Sequence, residues 1–429
     1  MKRLIFLFIV LATCFFSCSK EKDETSPKIT VYTPGDGIQI RGIDTVQINF
    51  DAADDMNLER VQVSLENENN IVVSHTITKT PNTKKFTFNE AYIVDELHLE
   101  SGNYYFDISA YDGENTTHKF IDVNLFEVDK TREGIFISSY NGVSSDVYLM
   151  DNSYQTNLYK NYVGDVLDIS VNSYHQQLIH TCYTSGAMES TDLITNLPAW
   201  TVPAQSSTTP YFTGVLMGDD NRLYTGYYDG RFKAFNQNGA ASISGNAIQS
   251  FYVQDAALLG DFYVTEQKSI PVGQVQLVLN WVASGVPFQQ AAVNEDIKGI
   301  YQRTNNEMIL LTNTLGNAGN VAFYYLNTGQ IGHPFSVSLG KIEDCVEISA
   351  GVYLVAEGNN LTYVNTNDYS TLPYLTGVNA NLLRYDSFSN ELFVIDGSLI
   401  TIYDFSSKAV KHTYTHSANV VDLDFWYNK

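Results

Sequence analysis

Two carboxylate pairs, Glu343-Asp344 and Asp422 with Asp424, have the spacing that acid–base chemistry uses. Glycoside hydrolysis needs such a pair, one carboxyl as acid and one as base or nucleophile. Both pairs lie in strand-like segments that open repeating units, where carboxylates accepting backbone N–H bonds from a neighbouring turn account for them without catalysis. His412 and His416 are four residues apart, a spacing that shares a face on a helix and not in the alternating pattern found there. No GxSxG elbow, HExxH, CxxC or phosphate-cradling glycine loop occurs, and the eight His have no spaced Ser/Asp partners. Asp51, Asp54 and Asp55, with Asp107 or Asp112, offer oxygens of the kind Ca²⁺ takes. Their spacing departs from an EF-hand loop, and solvated acids in turns account for them equally. The expectation is a non-enzyme without catalytic residue, metal or cofactor.

Binding chemistry is better represented. Aromatic residues make up 13% of the chain, chiefly 29 Tyr and 23 Phe. A tyrosine stacks on flat or ring-shaped ligands and offers a hydroxyl at small entropic cost. Tyr140, Tyr183, Tyr228, Arg231 and Lys268 are expected on loops joining second to third strands of repeating units. Tyr162, Tyr211 and Phe212 are expected on loops joining one unit to the next. In a ring of such units these two loop classes share a face. Arg231 and Lys268 stand out in an acidic chain as anchors for an anionic ligand group. Packing between units is the competing account of each ring.

The elements that must position these residues are strands. From residue 134 onward, alternating segments recur at roughly forty-residue spacing. Opening strands are expected at 166–171, 212–217, 251–254, 297–302, 342–349 and 382–385, each followed by a turn and further strands. The final segment, Val420 to Trp426, reads as an opening strand with nothing after it, whereas the strands at 134–140, 146–151 and 157–162 have none before them. Joining the two completes a seventh unit and closes a ring, so that no sheet edge is left free. Residues 28–128 read separately as short alternating strands of an immunoglobulin-like sandwich, and 129–133 as a charged connector.

The 429 residues exceed what one core usually holds. The net charge of −23 argues against nucleic acid and against adsorption to anionic lipid. Of four cysteines, Cys182 and Cys345 fall in the second and sixth units, too far apart to bridge. Residues 1–18 carry a basic start, an apolar stretch too short to span a bilayer, and Phe15-Phe16-Ser17-Cys18.

That last tetrapeptide resembles the lipobox of bacterial lipoproteins, with Phe16 bulkier than the usual residue; an ordinary secretory signal is the alternative. The acidic tether over 19–27 resembles the export signal of surface lipoproteins of the Bacteroides group. Residues 51–58 and the Tyr104–Gly113 segment are similar to bacterial Ig-like and PKD-like domains. The periodicity of 134–429 resembles the WD40/YVTN-like propellers, without the Gly-His and Trp-Asp signatures of WD40 repeats. These resemblances imply an all-β chain: an immunoglobulin-like spacer, then a seven-bladed β-propeller closed by the C-terminal strand. They imply acylation at Cys18, which would hold the protein to the outer membrane, facing the exterior, by its lipid alone. The role implied is capture of a glycan, corrinoid or metal chelate for a TonB-dependent transporter, with a protein–protein scaffold, or more remotely a hydrolase or lyase, as alternatives.

Overall fold

The structure, a computed structural model, describes residues 24–203 and 209–429. Cys18 and the tether up to Asp23 lie outside the described residues. Every regular element among them is a β-strand, and the chain divides into two units between Asp129 and Lys130.

In the first unit, a three-stranded sheet (Lys28–Thr33, Thr45–Leu58, Thr83–Ile93) and a five-stranded sheet share one core. Strict alternation puts Val46, Ile48, Phe50 and Ala52 inward and their neighbours outward. Phe50 and Phe88 stack at 5.1 Å, and Tyr92 meets Phe106 edge-on at the same distance. Three sequence expectations need correction. Asp51 to Leu58 continue a strand instead of forming a turn, with irregular register between Ala53 and Leu58. Strands Ile38–Arg41 and Thr83–Ile93 escaped the sequence reading, because the first is very short and the second mixes its Phe86–Phe88 alternation with Lys, Asn and Glu.

In the second unit, seven antiparallel sheets of four strands follow one another. Taken in order, their first strands are Val420–Tyr427, Asp168–Asn172, Phe212–Met217, Phe251–Leu259, Asp296–Thr304, Ile342–Ser349 and Leu382–Asp386. Each first strand neighbours that of the next sheet, and the seventh returns to the first. Between successive sheets lies a hydrophobic cluster, again in a closed cycle. This is a β-propeller-like arrangement. It also explains why second strands such as Met308-Ile309-Leu310-Leu311 are apolar throughout. Met308 and Leu310 pack towards the fourth sheet, while Ile309 and Leu311 pack towards the sixth.

The first sheet is built from both ends of this unit. Val420–Tyr427 pairs antiparallel with Arg132–Tyr140, placing Trp426 opposite Gly134, Phe425 opposite Ile135 and Asp424 opposite Phe136. The indole Nε1 of Trp426 donates to Gln176 of the second sheet at 2.8 Å. Arg132, read in sequence as part of a connector, instead opens a strand and is buried. Its guanidinium donates to Asp386 at 2.8 Å and to Glu391 at 2.7 Å, both in the seventh sheet. Cys182 and Cys345 are buried free thiols.

Candidate functional site

Two places in the second unit gather polar chemistry: the axis enclosed by the seven first strands, and the end of the ring where second-to-third and sheet-to-sheet loops meet.

At the axis the first strands contribute Asp168, Asp255, Asp344, Asp422 and Asp424, with Arg384 as their counter-ion. Arg384 donates from Nη2 to Asp422 at 2.5 Å and from Nε to the Leu423 carbonyl at 3.1 Å; its Nη1 lies 3.7 Å from Asp344. Three of the carboxylates are spent on the backbone of the adjacent first strand. Asp422 accepts from Ile169 N at 3.2 Å, Asp424 from Val171 N at 2.6 Å, and Asp344 from Leu383 N at 2.7 Å. Of the acids that looked like catalytic pairs in sequence, Asp344, Asp422 and Asp424 thus tie neighbouring sheets together at their inner edges, while Glu343 is exposed and accepts from Lys341. Their recurrence in opening strands was legible; that strands far apart in sequence would aim them at one axis was not.

Enclosure penalises so many negative charges. Burial pushes Asp424 up to about 7 and Asp255 to about 6, and it raises Asp168 and Asp344, with Asp422 adding repulsion at both. Arg384 stays protonated against the cost of its own burial because Asp422, Asp344, Asp424 and Asp168 surround it. The sign of the pH dependence follows. Unfolded carboxyls titrate near pH 4, so between about 4 and 7 the folded state holds protons that the unfolded chain releases. Stability from this source is therefore lost as pH rises through that window. His180 opposes it: burial lowers its pKa to about 3, so the unfolded chain gains a proton there below about 6.5. The axial acids outnumber it. The melting temperature is expected to be roughly 5 °C higher at pH ~5.5 than at pH ~8. Asp424→Asn should flatten that difference in a pH series of thermal melts, and an unchanged slope would refute this account.

Among the described residues of the second unit, a buried serine–histidine pair occurs that the sequence did not announce. Ser145 Oγ and His180 Nε2 are 2.7 Å apart, and Tyr162 stacks on the imidazole at 4.1 Å. All three are buried, and the hydroxyl also reaches the carbonyls of Gly164 and Asp165. The Asp165 carboxylate caps the backbone of Tyr183, Thr184 and Ser185. This trio locks the first sheet to the second and has no route to a substrate.

The loop end of the ring holds most of the residues singled out as ligand contacts. Tyr183 is exposed; Tyr211 and Tyr228 are half-buried. Their backbones form a chain, Tyr211 N donating to the Tyr183 carbonyl at 2.7 Å and Tyr228 N to the Tyr211 carbonyl at 3.1 Å. Tyr228 packs on Tyr252 with ring centroids 5.0 Å apart. Tyr252 was missed in sequence because it opens a strand and sits in no loop. Its cross-strand partner is Lys268. Tyr140 is exposed at the end of its strand and is not joined to this group.

Two expected contacts are core residues instead. Phe212 is fully buried and packs on Tyr227 at 5.3 Å, while Tyr162 lies under its own sheet's edge against His180. Both sit where a strand meets its neighbouring sheet, so an aromatic there fills the seam. The two cations are not free anchors either. Arg231 Nε donates to Asp229 at 2.8 Å, and Lys268 Nζ lies 3.0 Å from Asp296 and 3.5 Å from Glu266. Each is neutralised by a carboxylate close at hand.

Beside Lys268 a cleft of about 640 Å³ opens between the fourth and fifth sheets, lined by Gln274, Gln276, Asn294, Glu295 and Asp296, with Val272 and Leu315 at its rim. That volume lies within the ~300–1,000 Å³ typical of ligand pockets. In the first unit Asp51 accepts from Tyr32 and Thr87, Asp54 from Met56 N, Asp55 from Thr25, Asp107 pairs with His118, and Asp112 caps Glu114 and Asn115. Asp54 Oδ1 and Asp112 Oδ2 are buried without a hydrogen-bond partner, and no group of three or more acids, histidines or cysteines there is placed to hold a metal among the described residues. His412 stacks on Tyr154 while His416 meets Tyr148, so the two histidines do not converge.

No protein-family model matches the chain, and no curated protein matches it. Among solved structures it is similar to a protein of unknown function from Bacteroides caccae, at 12% identity and a TM-score of 0.42, covering 58% of this chain and 97% of that one. It is also similar to a quinonprotein alcohol dehydrogenase-like protein from Bacteroides thetaiotaomicron VPI-5482, at 10% identity and a TM-score of 0.47, covering 92% and 99%. No activity is carried over from either.

Proposed function

We propose that this chain is a lipid-anchored surface binding protein that captures a ligand without transforming it. The seven four-stranded sheets are read as the blades of a seven-bladed propeller, and the first unit as an Ig-like spacer behind an acylated Cys18. The ligand, a glycan, corrinoid or metal chelate, is held on the loop end of the ring and passed to a TonB-dependent outer-membrane transporter. The observation that carries this reading is the joining of Tyr183, Tyr211, Tyr228 and Tyr252, the last paired across strands with Lys268, which lines a cleft of ligand size. A concave site of that volume suits a small ligand better than a flat polar face would, and so favours capture over a protein–protein scaffold.

A second reading draws on the axial carboxylates, since burial raises Asp168, Asp255, Asp344 and Asp424 as it raises the acid of the acid–base pairs in hydrolases. One experiment separates the readings. The full-length protein in detergent is incubated with oligosaccharides, cobalamins and ferric chelates while both binding and product release are measured. Capture predicts saturable binding, weakened at least ~10-fold by the double change Tyr183→Ala and Tyr252→Ala, with no product. Product formation abolished by Asp168→Asn would replace capture with hydrolysis. Incorporation of labelled fatty acid, lost in Cys18→Ala, tests the anchor.

A further inference from the structure

The cleft between the fourth and fifth sheets carries more chemical detail than the capture reading uses. Its charges are balanced within the protein. Lys268 and Lys298 both contact Asp296, at 3.0 Å and 2.9 Å, and Glu295 accepts hydrogen bonds from Thr312 and from Asn320 Nδ2. Glu266, below Lys268, is buried, and that burial pushes its carboxyl up to about 8, so it is largely uncharged near neutral pH. Lys268, the cation in the lining, is thus set against Glu295 and Asp296, and no net positive field is left to hold a phosphate, sulfate or carboxylate. In an acidic chain, an anion entering here would meet repulsion with nothing to offset it.

The neutral groups behave differently. The side-chain amides of Gln274, Gln276 and Asn294 line the cleft and make no hydrogen bond to another described residue. Each presents both a donor pair and an acceptor, the complement of a vicinal hydroxyl pair, which also donates and accepts. Val272 and Leu315, 76% and 94% exposed, offer apolar surface at the rim. Tyr252, an aromatic residue, stands opposite Lys268 of the cleft in the strand register. Uncommitted amides and balanced charge define a site for a ligand rich in hydroxyls and poor in charge.

We propose that this cleft is a subsite for a neutral carbohydrate chain, its hydroxyls held by Gln274, Gln276 and Asn294. The proposal rests on the capture reading and selects one ligand class within it. Isothermal titration of the full-length protein in detergent tests it, with maltohexaose, xylohexaose, mannohexaose and cellohexaose as neutral probes. Polygalacturonate fragments, cyanocobalamin and a ferric catecholate chelate serve as comparison probes. The expected result is saturable binding of at least one neutral probe, weakened ~10-fold or more by Gln276→Ala and by Asn294→Ala. Both residues are solvent-facing enough that their variants should melt with the parent, which a thermal scan checks. If a comparison probe binds and no neutral oligosaccharide does, the neutral-carbohydrate assignment is overturned while capture stands. If a neutral probe binds and is indifferent to both amide changes, the cleft assignment is likewise overturned, with capture intact. If none of these probes binds, both fall.

Discussion

Removal of Val420–Lys429 is expected to abolish cooperative folding of the second unit. The strand is the only partner on that side of Arg132–Tyr140, which would become an open edge of buried apolar residues. The deletion also strips Leu423 from the cluster between the seventh and first sheets, and the Trp426 ring from that between the first and second. It further removes both carboxylates that bind Ile169 N and Val171 N, and leaves Arg384 without its nearest partner. A closed ring has no weaker fallback, because a gap exposes two faces at once. Size-exclusion chromatography should find aggregate, and thermal scans should lose the transition of this unit. A soluble truncated protein melting close to the parent would show that the ring does not depend on its last strand.

Arg132→Ala carries the next largest effect, about 3–5 kcal/mol of destabilisation, the usual consequence of removing one partner from a buried ion pair. The side chains of Asp386 and Glu391 are 0% and 2% exposed, and Arg132 donates to both. Without it, Asp386 retains the Tyr427 hydroxyl and the Phe388 amide, and Glu391 retains Lys411 and Tyr154. Those partners compensate Glu391 better than Asp386, which loses its one cation. The melting temperature should fall by about 10 °C. Adding Asp386→Asn to the variant should recover part of it, since the amide leaves no buried charge. Arg132→Lys should fall between, keeping a charge but losing the fork that also reaches Asn152 from Nε. A melting temperature unchanged in Arg132→Ala would mean the network contributes nothing to closure.

The tyrosines separate what reads locally from what does not. Tyr183, Tyr211 and Tyr228 were found because turn and strand signals place them near the ends of elements. Phe212 and Tyr162 carry the same signals and are buried, since the seam they fill belongs to a sheet contributed by other parts of the chain. Tyr252 lacks a loop signal and still joins the group, because its strand end abuts Tyr228. No pattern around a single residue distinguishes these cases.

By itself, the sequence determined most of the strands, though not Ile38–Arg41 or Thr83–Ile93, and the pairing of Val420–Tyr427 with residue 134 onward. Alternation and turn chemistry are properties of a few adjacent residues, and a terminal strand without successors can be counted. Only the tertiary structure decided which charges are spent and which amides remain open. Lys268 meets Asp296, Arg384 meets Asp422, and Arg132 meets Glu391. Each of those pairs spans a boundary between sheets, so a side chain's neighbours are set by how the ring closes and not by the residues beside it in the chain.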